Sequence, residues 1–203
     1  MSNNVNVINK AENDLNVVVN NIDGGIQIII DTKKKELDLL SLEAGDIFKV
    51  DNVEYIVLEQ LADNQTAIIR KDLLEDTMEF GSDNNWKTSS IREFLNGEYL
   101  KEIEKSFGKD RIVEHSVDLL SMDGLDDYGT SIDKVSMLTI DQYRKYRKVI
   151  GKNLDTWWWL ITPDSTPSGS SARCVQCVDS GGSVDCDGGD FDEGARPFFI
   201  LQS

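Results

Sequence analysis

The chain has 203 residues, of which 21 are Lys or Arg and 37 are Asp or Glu, for a formal net charge of −16. That length supports one sizeable core without help from a metal or a disulfide, and that charge argues against nucleic acid as a partner because two polyanions repel. The longest unbroken apolar run, Trp157 to Ile161, is far short of a membrane span.

The first residues, MSNNVNVINKAENDLN, lack a basic stretch followed by an apolar one, so no secretory signal is expected. The chain reads as cytoplasmic when synthesised, and a virion component fits equally well. His115 is the single histidine, which leaves one candidate base for a Ser-His-Asp triad or a multi-histidine metal site. Residues 1–25 are rich in Asn and Val and end at Asp23-Gly24-Gly25. The run Val17-Val18-Val19 suits a docking or oligomerisation segment, through which a homo-oligomer or a virion partner would attach.

Residues 26–80 read as β-rich. Ile26 to Ile30, bounded by Gly-Gly and Asp31, suits a buried strand. Two strands around Asp51-Asn52 and a third, Thr66 to Ile69, after Asp63-Asn64 make a hairpin meander. Asp83-Asn84-Asn85 reads as a polar turn. Residues 86–151 read as helical. Ser90-Ile-Arg-Glu93 has the capping-box spacing, and Thr139-Ile-Asp-Gln142 has it again. Asn96-Gly97 is expected to interrupt the first helix, and Gly108 to end the second.

Residues 154–203 hold no Lys, and they hold every Pro and Cys of the chain. They read as short strands separated by Ser/Gly/Asp loops, which makes the class α+β. In Trp157-Trp158-Trp159-Leu160 neighbouring side chains point to opposite faces of a strand, so this strand sits between two layers. Thr162 to Ser171 reads as a loop without an apolar anchor. Pro197 has no amide to donate, so the last strand begins there or lies at an edge.

Cys174-x-x-Cys177 with Cys186 lacks a second cysteine pair for zinc, and the pair lies in a strand rather than opening a redox helix. The thiols therefore read as incidental. The acids from Asp179 to Glu193 lack the order of an EF-hand loop. No metal or cofactor is called for.

An ordered set of motifs resembles one family. It comprises Trp86-Lys-Thr-Ser-Ser-Ile-Arg-Glu-Phe-Leu-Asn96, Lys134-Val-Ser-Met-Leu-Thr139, Trp158-Trp159-Leu160-Ile161-Thr162-Pro163 and Gly194-Ala195-Arg196-Pro197. Over about residues 40–203 it is similar to bacterial and phage proteins with W-x-x-S-x-(I/L)-R-x-(W/F)-L-N, W-W-L-R-S-P and G-V-R-P-A-L patterns. These resemble the C-type-lectin-fold variable proteins of diversity-generating retroelements. The chain departs from the pattern at Ile161 and Thr162, where Arg and Ser are usual, at Ala195, and at Phe198 and Phe199.

The resemblance implies a C-type-lectin-like domain with short helices and a small antiparallel sheet, preceded by a β-rich portion. The domain would span 26–203, divided into the β-rich part 26–80, the helical part 86–151 and a variable display region 154–203. It implies a non-enzymatic protein that binds a protein or glycan ligand. The binding residues would be Thr162, Asp164, Arg173, Cys174, Gln176, Asp179, Ser183, Asp185, Cys186, Asp187, Asp190, Phe191 and Asp192. Arg196 would be structural. The rival readings are a copper oxidase resembling formylglycine-generating enzymes, using Cys174 and Cys177, and a structural virion part.

Overall fold

The computed structural model describes residues 14–22, 25–33, 37–151 and 154–203. The chain forms two compact units, 1–38 and 39–203. Much of the expected docking segment, residues 1–13, 23 and 24, lies outside the described residues.

The first unit is a hairpin. Strand β1 (Asp14–Ile22) pairs antiparallel with β2 (Gly25–Lys33), with Asp14 opposite Lys33 and Ile22 opposite Gly25. Ile26 to Ile30 is therefore a strand as expected, but at Ile26 and Ile28 it is not buried: they are 53% and 40% exposed.

The second unit opens with β3 (Ile47–Val50), β4 (Val53–Leu61), β5 (Gln65–Arg70) and β6 (Met78–Glu79). Helix α1 (Ser90–Phe94) leads into α2 (Leu100–Phe107), followed by β7 (Ile112–Val113), β8 (His115–Asp118), β9 (Thr130–Asp133) and β10 (Val135–Ser136). Helix α3 (Ile140–Ile150) precedes β11 (Trp158–Pro163), β12 (Cys174–Val178), β13 (Val184–Gly188), β14 (Asp192–Glu193) and β15 (Phe198–Gln202). The class is α+β, with mostly antiparallel sheets and short helices. No helix among the described residues is long and apolar enough to cross a membrane.

The meander is built by its turns. Asp51, Asn52, Asp63 and Asn64 all have positive φ, from 48° to 71°; the first pair fills a two-residue hairpin loop, and the second lies in the three-residue loop between Leu61 and Gln65. Asn and Asp tolerate a positive φ better than other side chains. The main sheet runs β10-β15-β5-β4-β3, with β7 also on β15. The last strand thus lies between β5 on one side and β10 with β7 on the other. It begins directly after Pro197, as the missing amide requires. A second sheet runs β11-β12-β13.

Residues 86–151 are less helical than their sequence suggests, since β7 to β10 occupy 112–136. These strands are two to four residues long, too short for alternation to be read. The first capping residue is Ser89, not Ser90: its side chain accepts from the Arg92 amide. Asn96-Gly97 does not break the helix. Leu95–Tyr99 widens into a π turn that joins α1 to α2, an insertion that helices accommodate without ending. The second box forms as expected, with Gln142 N donating to Thr139 Oγ1 and Thr139 N to Gln142 Oε1. Gly108 ends α2 with φ 96°.

Strand β11 separates two layers. Trp158 and Leu160 enter a core with Ile56, Leu58, Ile69, Tyr143 and Tyr146. Trp159 faces the other way, edge-on to Phe80, and its indole N–H donates to the Met78 carbonyl at 2.9 Å. Arg196 is buried, lies 5.4 Å over the Trp158 ring, and donates to the Arg70 and Lys71 carbonyls at 2.9 and 2.7 Å. It is a carbonyl donor, in agreement with its expected structural role. Burial pushes its pKa down to about 10, which leaves it charged at neutral pH.

His115 packs edge-on to Phe198, with Nε2 2.9 Å from Ser136 Oγ. Burial holds its pKa below the usual imidazole value, against a smaller upward pull from the Val113 carbonyl and Asp133. A depressed histidine pKa means the unfolded chain binds the proton more readily. Stability is then fully present above about pH 6.5, the ordinary imidazole value, and falls as pH drops through that value toward the folded pKa. The His115→Gln variant is expected to lose that slope in urea midpoints measured between pH 7 and 5.

Candidate ligand-binding face

The loop after β11 is anchored by polar groups rather than apolar ones. Asn84 is fully buried. Its Nδ2 donates to the Ser165 carbonyl at 2.8 Å and the Cys174 carbonyl at 3.0 Å, and its Oδ1 accepts from Tyr128 Oη at 2.8 Å. Its backbone amide reaches the Ala172 carbonyl. Asp127 accepts from the amide and hydroxyl of Ser168, and Ser165 Oγ accepts from the Ser170 amide. The strand also extends to Pro163, further into the expected loop than its two prolines suggest.

The next turn is equally constrained. Asp179 Oδ1 accepts from the Ser183 amide at 2.8 Å, Gly182 takes φ 84°, and Tyr143 Oη donates to the Gly182 carbonyl at 2.8 Å. The third turn is held by Gly189, whose amide donates to the Arg173 carbonyl and whose carbonyl accepts from the Gly81 amide. A Cβ on Gly189 would stand 3.0 Å from the carbonyl oxygens of both Gly81 and Asp83, so the close approach requires glycine.

The thirteen expected binding residues divide on this backbone. Thr162 and Gln176 are corrections: they are 2% and 4% exposed. Thr162 Oγ1 accepts from the Ile140 amide at 3.0 Å, and Gln176 Nε2 donates to Asp164 Oδ1 at 3.0 Å. Their polar groups serve the fold, which composition alone does not reveal. Asp179 shapes its turn. Asp164, Cys174, Cys186 and Asp187 are half-buried, whereas Arg173, Ser183, Asp185, Asp190, Phe191 and Asp192 are exposed.

They do not share one surface. Gln176 stands opposite Cys186 and Cys177 opposite Asp185. Alternation therefore puts Cys174, Gln176 and Cys186 on one side of the hairpin and Asp185 and Asp187 on the other. Glu193, one of the loop acids but not one of the expected binding residues, lies near Cys177 and Asp187 of the second side. Burial raises its pKa, and the charges of Asp187 and Asp192 raise it further. At the end of the hairpin Arg173 lies 3.6 Å from Asp190 Oδ2, and Phe191 is 56% exposed.

The cysteine pair does not converge. Positions 174 and 177 are an odd number of residues apart in β12, so their side chains leave opposite faces and do not meet on one copper ion. Burial pushes the Cys177 thiol up to about 12, and nearby carboxylates add to the shift; burial likewise pushes Cys186 up to about 11. Both stay protonated at neutral pH and are poor nucleophiles. In the native protein at pH 8, Cys177 is expected to resist iodoacetamide until urea unfolds the chain. Rapid native labelling, read by mass spectrometry of the peptide, would contradict its placement. No group of three or more His, Cys, Asp or Glu among the described residues is arranged to hold a metal.

A shallow depression of about 220 Å³ lies at the start of α3, lined by Leu120, Met122, Thr139, Arg144 and Thr162 among others. The α3 amides of Ile140 and Gln142 are already bonded to Thr162 and Thr139, so they do not make an anion site. No protein-family model, curated protein or solved structure matches the chain.

Proposed function

We propose that the chain is a non-enzymatic ligand-binding protein whose C-terminal strands and turns display interchangeable side chains on a fixed backbone. The observation that carries this reading is the contrast at the 173–192 hairpin end. The backbone of Arg173 and Gly189 is bonded into the fold, while the side chains of Arg173, Asp190 and Phe191 project into solvent. Side chains that the fold does not use are free to change, which is what recognition loops on a rigid scaffold require. Phe191 and Arg173 are the anchor types that dominate interfaces. Asp185, Asp187, Asp192 and Glu193 set a preference for cationic or neutral ligands. The motif resemblance supports a C-type-lectin-like scaffold and a variable protein of a diversity-generating retroelement.

The test pairs stability with binding. Arg173→Ala and Phe191→Ala are expected to leave the urea midpoint within about 0.5 kcal/mol of wild type. The same variants should abolish ligands found in a protein and glycan screen of the purified chain. Large destabilisation, or binding that survives both changes, removes the assigned face. A reverse-transcriptase gene near a copy of codons 160–197 differing mainly at adenines would support diversification; finding neither removes that part.

A further inference from the structure

We infer that Cys174 and Cys186, two of the three free thiols, are a redox site: they close into an intramolecular disulfide that pins β13 to β12. The strand register carries the argument. Cys174 stands opposite Gly188, and Gln176 opposite Cys186. The two cysteines are therefore diagonal neighbours on one side of the hairpin. Gly188 offers Cys174 no side chain across the ladder, and the Gln176 amide is turned onto Asp164 Oδ1 at 3.0 Å. The Cys174 thiol lies close enough to hydrogen-bond to that of Cys186.

Both thiols are half-buried, so a small reagent can reach them, whereas Cys177 is 0% exposed and leaves the opposite face. In a regular ladder a diagonal pair stands wider than a disulfide requires, so one strand must shift to close the gap. Strand β13 is free to do so. It is the end strand of its sheet, paired with β12 alone. On its outer edge the amides of Cys186 and Gly188 donate to the side chains of Asp185 and Asp187 at 2.8 and 2.7 Å, not to a further strand. A bridge made by such a shift is strained, and strained disulfides are the labile, reversible kind. The oxidant is a low-molecular-weight disulfide. One protein thiolate attacks it, releasing half of it as a thiol and leaving a mixed disulfide. The second protein thiolate attacks the protein sulfur of that bond and releases the other half. Two S–H bonds are lost and one S–S bond is made, and the two protons and two electrons leave with the reagent's two thiols. The raised Cys186 pKa makes the exchange slow at neutral pH and faster as pH rises. The site stands whether or not the 173–192 end binds a ligand.

Intact mass spectrometry of the full chain, after incubation with oxidised glutathione at pH 9, is the test. Wild type and Cys177→Ala are expected to lose about 2 Da, two hydrogens, with no glutathione retained, and dithiothreitol should reverse the loss. Cys174→Ser and Cys186→Ser are expected to show no such loss and to carry glutathione on the remaining half-buried thiol. All four Trp lie within 39–203, so near-ultraviolet circular dichroism checks that each variant is folded before oxidation. Should the core change at Cys177 unfold the chain, the two serine variants still read the pairing. A wild type that keeps its thiols, or that holds glutathione without closing, overturns the inference. So does a loss that persists in either serine variant, which would place the bond at Cys177, or a bond between two chains on a non-reducing gel.

Discussion

Replacing Asp133 with Ala is expected to cost about 3–5 kcal/mol, the usual result of breaking a buried pair from one side. Asp133 is almost fully buried and takes three donors onto its carboxylate. Trp86 Nε1 donates to Oδ2 at 2.8 Å, while Arg92 reaches Oδ1 with Nε at 2.7 Å and a terminal nitrogen at 2.6 Å. Removing it leaves an indole N–H without its acceptor and a guanidinium without its counter-charge. The guanidinium is partly open to water, which relieves some of the penalty; the indole is not. Against a total stability of about 5–15 kcal/mol, the chain would lose a large fraction. Asp133→Asn retains one acceptor oxygen and is expected to fall between wild type and Ala. Urea midpoints of the three proteins decide the matter, and a shift below about 1 kcal/mol for Ala would show that the bridge holds little.

The second large effect is expected at Asn84. Asn84→Ala takes a donor from the Ser165 carbonyl and the acceptor from the Tyr128 hydroxyl, while the Cys174 carbonyl keeps the Asp164 amide; unsatisfied buried groups cost about 1–3 kcal/mol each. The affected loop can admit water, so a total of roughly 2–4 kcal/mol is expected. Asn84→Asp is the sharper probe. It still accepts from Tyr128 but has no amide to offer the Ser165 and Cys174 carbonyls. Hydrogen exchange should quicken in both variants at the amides of Asp164, which donates to Cys174, and Ser170, which donates to Ser165. If these amides stay protected while the midpoint falls, Asn84 holds the core rather than the loop after β11.

Both residues show where sequence reading reaches and where it stops. The motif from Trp86 to Asn96 was legible as a unit, and its physical purpose is convergence. Trp86, Arg92 and Asn96 all reach the segment 133–135, where Asn96 Oδ1 accepts from the amides of Lys134 and Val135 and Nδ2 donates to the Val135 carbonyl. The same demand explains why Asn96-Gly97 did not end the helix: a π turn carries the chain past an asparagine whose side chain is fixed elsewhere. The Asp51-Asn52 and Asp63-Asn64 turns were legible because their conformation is a local preference. Asn84 was not. A buried hub and a solvated turn share one composition, and only a partner 81 residues away tells them apart.

For residues 154–203, alternation predicted the strands but not the burial. Thr162 and Gln176 are polar, and polarity suggests exposure; their hydrogen bonds within the fold make burial affordable. Sequence order shows Asp192 beside Glu193; the charge of Asp187 is brought near it by the turn at Gly188–Gly189.

The position of β15 sets a rule for expression. Strand 198–202 pairs with β5 about 130 residues upstream, so the sheet cannot close until these residues have left the ribosome, and such distant pairing is slow. A stop codon or frameshift anywhere in 160–197 deletes this strand and leaves β5 and β10 with open edges that invite aggregation. Substitutions in the same span keep it. Changes upstream of this strand therefore leave folded product only when they preserve the reading frame.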